Sequence, residues 1–127
     1  MAMQFEQRKD ERFDDIGRVD APELCVFPGV LVDISMLGCR IRFPASVTVD
    51  MDSDIDLKIT SPRKGTMQSF SLIGHPKWIK EENGSTEVGF RLLRSPGSRL
   101  LYKYIEKLAM AAAEYEEEEM YSLCVTV

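Results

Sequence analysis

Apolar and polar residues alternate through the middle of the chain. Cys39, Ile41 and Phe43 alternate with Arg40 and Arg42, and Ile55, Leu57 and Ile59 alternate with Asp54, Asp56 and Lys58. Successive side chains of a strand point to opposite faces, so each run predicts a strand with one face buried. Leu24 and Val26 predict an earlier strand, and Val30 and Val32 a second. Phe70 and Leu72 open a further strand that continues past Gly74 to Trp78 and Ile79, and Val88, Phe90 and Leu92 close the set. Pro44 stops one strand, and Ser61 to Gly65 reads as a turn. Gly74 and Pro76 suggest a bulge or an edge. Asn83-Gly84 is a hairpin signal, because both residues accept positive φ. About six short strands with little room for crossover helices predict a mostly antiparallel sheet closed into a barrel.

After Ser95 the period changes. Ser95 as N-cap and Pro96 as first helical residue predict a helix start. Leu101, Ile105, Leu108, Ala112 and Tyr115 then form one apolar stripe on a helix reaching about Met120, roughly 37 Å long. That exceeds what one barrel end needs, leaving length for a protein partner or a second copy of the chain. Glu116 to Glu119 read as a solvated face at the helix end that carboxylates favour least. Leu123 to Val127 have strand composition and predict an added strand at a sheet edge, in this chain or a neighbour. The first residues are charged and aperiodic. The expected organisation is therefore a flexible N-terminal arm over 1–17, with a helical turn near Arg8 to Arg12, a β-barrel over 18–95, and a C-terminal helix and tail over 96–127.

Composition narrows the function. A chain of 127 residues is one domain, with enough core to fold without disulfide or metal. The formal charge of −5 argues against binding nucleic acid polymers, though a local arginine cluster can reverse the field for a small anion. Cys25, Cys39 and Cys124 are odd in number and lack C-x-x-C spacing, so they read as reduced thiols in or near the core, which points to the cytoplasm. The polar N-terminus carries no signal peptide, and no apolar run is long enough to span a membrane.

Two segments could carry chemistry. Arg8 and Arg12 stand four positions apart. A guanidinium is planar, permanently charged and bidentate, and it stacks on rings, which suits phosphate and the N7/O6 edge of guanine. Asp33-Ile34-Ser35-Met36-Leu37-Gly38 lies between two strands. Asp33 and Ser35 can fix a turn and present a carboxylate and a hydroxyl, and Gly38 supplies a positive φ or a close backbone approach.

Together these segments, R-x-x-x-R from Arg8 to Arg12 and D-x-S-x-x-G from Asp33 to Gly38, resemble the signature of the PilZ domain family. The apolar strand before the second segment and Val88-Gly89-Phe90 are similar to it as well, so the resemblance covers about residues 5–95. It implies a six-stranded antiparallel barrel with a C-terminal helix, and binding of the bacterial second messenger cyclic di-GMP in one or two copies. It also implies roles: Arg8 and Arg12 for guanine and phosphate, Asp33 and Ser35 for the base, Gly38 for close approach. Lys9 adds charge to the arm. Arg40, opposite in face to Cys39, is a further candidate by alternation.

Other motifs are weaker. His75 lacks a second ligand at zinc spacing, and Trp78 reads as core, with a platform for stacking a base as the alternative if it faces the site. Asp50, Asp52, Asp54 and Asp56 miss the glycine and glutamate of a calcium loop. No nucleophile, base or metal set is present, so no enzymatic activity, cofactor or metal is expected. The expected function is a cyclic di-GMP receptor that orders its N-terminal arm on binding and signals to a partner protein. The alternative is a nucleotide-independent adaptor using the barrel and helix.

Overall fold

The alternating segments form strands that pair edge to edge until the sheet closes on itself. The structure, a computed structural model, describes residues 12–61 and 69–125. Its strands are β1 (Phe13–Asp20), β2 (Gly29–Ile34), β3 (Gly38–Phe43), β4 (Ile55–Thr60), β5 (Ser69–Glu82) and β6 (Ser85–Leu93), followed by helix α1 (Ser98–Val125). The strands close in the order β1-β2-β3-β6-β5-β4, with β4 returning to β1, and every pairing is antiparallel. Closure leaves no sheet edge to satisfy or to aggregate.

The period-two runs fill the barrel. Ile41, Phe43, Leu57, Ile59, Leu72 and Val88 are almost wholly buried, while Arg42, Asp56 and Lys58 face out. Each such aliphatic or aromatic side chain contributes about 1.5–3 kcal/mol relative to exposure. The Asn83-Gly84 turn joins β5 to β6, and both residues have positive φ, 50° and 81°. Helix α1 packs against β5 and β1 through Leu101, Tyr104, Ile105 and Leu108, and the Tyr104 ring meets Phe70 at 5.4 Å between centroids.

Several local expectations change. Leu24 and Val26 belong to no strand. The 21–28 segment is a loop in which the Leu24 and Cys25 amides both donate to the Ala21 carbonyl, and Val26 is 87% exposed. The first strand instead begins at Phe13, inside the segment read as an arm. Half of its residues are charged and three are aspartates, so its strand character comes from pairing on both sides, with β2 and β4, rather than from composition. In β2 the core residues are Leu31 and Ile34 rather than Val30 and Val32.

The helix also begins later and ends later. Ser95 to Gly97 form a turn, and the Gly97 carbonyl accepts the first helical bond, from the Leu101 amide. Gly97 lies so close to the Ser71 carbonyl that any Cβ would overlap it. The cap therefore falls on the residue that can approach β5, and Pro96 lies outside the helix. At the other end Leu123 to Val125 continue α1 and add no strand. The helix carries the glutamate run in its interior, where the macrodipole penalty at the last turn does not apply. Residues 126–127, the expected arm up to residue 11, and most of the Ser61 to Gly65 turn lie outside the described residues.

Candidate functional site

The turn between β2 and β3 is held from within. Ser35 donates its amide to the Gly38 carbonyl at 2.8 Å. Its hydroxyl accepts from the Leu37 and Gly38 amides, each at 3.2 Å, and donates to the Gly38 carbonyl at 3.3 Å. A hydroxyl has one donor and two acceptor sites. All three serve the turn, and Ser35 is only 1% exposed. Gly38 is required by proximity rather than by φ. A Cβ there would lie 2.7 Å from the Phe90 carbonyl oxygen and 3.4 Å from an Arg12 guanidinium nitrogen.

A bulge in β2 aims Asp33. Leu31 pairs with Ile41, yet Asp33 pairs with Arg40 and Ile34 with Cys39, so one extra residue is taken up between them. Strict alternation from Leu31 would send Asp33 inward and Ile34 outward. The inserted residue reverses this, putting Ile34 in the core and Asp33 beside Arg40 on the outer wall. There the Asp33 carboxylate, 5% exposed, accepts from Arg12 Nη1 at 2.7 Å and from Arg40 Nε at 2.6 Å, with Arg40 Nη2 on the same oxygen as Nε. Two guanidiniums that would otherwise wander are thus fixed by one buried carboxylate.

A second bulge aims Trp78. Pro76 pairs with Phe90 while Trp78 pairs with Gly89, so β5 also gains a residue here, as Gly74 and Pro76 suggested. Phe70, Leu72, Gly74 and Pro76 are inward, and unbroken alternation would place Trp78 with them as core. The bulge turns it out: Trp78 is 41% exposed and its indole lies on Gly89, where any Cβ would overlap the ring.

These elements enclose one cavity of about 580 Å³. Among the described residues, Arg12, Arg40, Lys77 and Arg91 line it against one carboxylate, Asp33, on a chain whose net charge is −5. An electropositive groove with an exposed indole suits a planar, anionic ligand. Cys39 contributes no thiolate to it: burial pushes the thiol up to about 12, with Arg12 opposing and Asp33 reinforcing the shift. Among the described residues no cluster of metal-ligating side chains occurs, and His75 pairs with Asp54 at 2.9 Å. Likewise no helix among them is long and apolar enough to cross a membrane.

Residues 6–107 match the sequence profile of the PilZ domain. The chain belongs to the PilZ domain family. Solved structures agree on the fold. The inhibitor of motility MotI/DgrA of Bacillus subtilis superposes with a TM-score of 0.60 at 12% identity, covering 79% of this chain and 50% of that one. The PlzA protein of Borreliella burgdorferi, crystallised in complex with c-di-GMP, gives 0.55 at 10% identity, covering 89% and 56%. The chain thus spans about half the length of each of these structures. No curated protein matches it significantly.

Within this PilZ fold, Arg12, Asp33, Ser35, Gly38 and Arg40 all line the cavity. Arg8 and Lys9 lie outside the described residues. Sequence reasoning did not assign Lys77, Gly89 and Arg91 to the site, and read Trp78 first as core and only alternatively as a stacking platform. Their signal was cross-strand: the only tryptophan faces a glycine one strand away, legible only once the β5–β6 register is known.

Proposed function

We propose that this PilZ domain is a receptor for cyclic di-GMP, which binds in the groove between Asp33 and Trp78. The observation that carries the reading is the buried Asp33 carboxylate holding Arg12 and Arg40 side by side at the edge of a tryptophan-floored, cationic cavity. Guanidinium forks match guanine N7/O6 and phosphate oxygens, and the indole offers a face for a base to stack on. Lys77 and Arg91 offset the two phosphate charges. In this reading Asp33 orients arginines and offers acceptor capacity to the base, Ser35 acts by shaping the turn, and Gly38 lets Arg12 and β6 come close. Arg8, with Lys9 adding charge, joins Arg12 from the N-terminal arm. Ligand binding orders that arm against the barrel, and a partner protein reads the change. The PlzA complex with c-di-GMP supports the ligand assignment through the shared family.

Isothermal titration tests it. Saturable heat with cyclic di-GMP, and an affinity that falls as salt rises, are expected. No heat at tens of micromolar ligand would overturn the reading. The second reading, a nucleotide-independent adaptor, draws on the length of α1, which continues to Val125, well past Leu108 on the barrel. Equal partner binding with and without nucleotide would favour it.

A further inference from the structure

On the outer wall, charges of alternating sign form a chain running out of the groove: Arg12, Asp33, Arg40, Glu87, Arg42. Arg12, Asp33 and Arg40 line the cavity; Glu87 and Arg42 do not, and instead border a second, smaller hollow beside it. The β3–β6 register sets Glu87 opposite Arg42, two residues along from the Arg40–Gly89 pair and past Ile41–Val88. Its carboxylate, 17% exposed, is shared: one oxygen takes Arg40 Nη1 and the other Arg42 Nη2, both at 3.4 Å.

The distances separate two roles for Glu87. Were it the group that orients Arg40, its contact would be short. Asp33 instead grips Arg40 through Nε at 2.6 Å and through Nη2, whereas 3.4 Å to Glu87 is at the limit of hydrogen bonding. Removing Glu87 would leave Arg40 in place and remove an anion from the rim of a site for anions. We infer that Glu87 sets the affinity of the groove: it competes with the ligand for Arg40, and Arg42 draws it away. The inference rests on the reading that the groove binds cyclic di-GMP. It makes Glu87 a competing charge at the rim rather than a ligand contact or the group that orients Arg40.

The test is a titration of cyclic di-GMP into the full chain and into Glu87→Gln, Arg42→Gln and the double variant, with melting temperatures to confirm folding. Glu87→Gln keeps the side chain's shape and should bind about three- to tenfold more tightly, the gain shrinking at high salt. Arg42→Gln should bind more weakly, and by a larger factor when Glu87 is present than when it is glutamine. Unchanged or weaker binding by a folded Glu87→Gln would overturn the inference, and so would independent, additive effects of the two substitutions. Absence of binding by the unsubstituted chain would instead refute the nucleotide reading itself, so the two failures are distinguishable.

Discussion

The two walls of the groove are built by different means. One is the β2–β3 turn, six consecutive residues from Asp33 to Gly38 in which the Ser35 amide and hydroxyl hold the bend to Gly38 from within, while the Asp33 carboxylate reaches out to Arg12 and Arg40. The other is gathered from β5 and β6, where Lys77 and Trp78 meet Gly89 and Arg91 only because two strands pair in a particular register. The first wall is a local device and survives as a sequence motif. The second is a product of topology. A bulge serves each wall, turning Asp33 out of β2 and Trp78 out of β5. The family motif therefore describes half of a site whose other half is written in pairing.

Substitutions can break or sharpen this contrast. The largest loss belongs to the charge that bridges arm and barrel. Arg12→Ala should weaken cyclic di-GMP binding by about 2–4 kcal/mol, because it removes a ligand cation and leaves the buried Asp33 carboxylate with one partner fewer. Titration calorimetry reads this, and full affinity in the variant would remove Arg12 from the site. Next comes the register-built wall. Trp78→Ala should cost about 1–3 kcal/mol of binding, the worth of one stacked base, with little change in melting temperature because the indole lies on the outer surface. A large drop in stability with intact affinity would return Trp78 to a structural role. The smallest effect on affinity is expected for a residue of the motif itself. Ser35→Ala should lower stability by about 1–2 kcal/mol through the turn's lost hydrogen bonds, and weaken the ligand less than either other change. If Ser35→Ala instead abolished binding in a folded protein, its hydroxyl would belong to the ligand.

The barrel was legible because its inner face is written at period two. Cys39–Phe43 and Ile55–Ile59 keep that period without interruption, and both are strands with the expected face buried. Legibility failed where the period breaks. In β2, Val30 and Val32 look like the buried pair, but the opposite face is the inner one, with Leu31, and the bulge after Leu31 then brings Ile34 into the core. In β1 the charged outer residues outweigh buried Val19, and a strand held by both neighbours looked like an arm. The helix start was misread for another reason: Gly97 must lie against Ser71, a tertiary contact that no capping preference encodes. At the site, Arg12, Asp33 and Gly38 were readable as a spaced pattern. Trp78 was open to either reading, core or stacking platform, because its neighbour across the sheet is eleven positions away and its facing depends on the bulge after Pro76.

Trp78 is the only tryptophan of the chain, so the protein carries its own probe in the wall that topology built. The most direct measurement is a titration of cyclic di-GMP followed by intrinsic tryptophan fluorescence. Saturable quenching or shift of Trp78 emission, moved to much higher ligand concentration by Arg12→Ala, is the predicted result. Binding heat with Trp78 emission unchanged, or the same titration curve in Arg12→Ala, would contradict the placement of the nucleotide between Asp33 and Trp78.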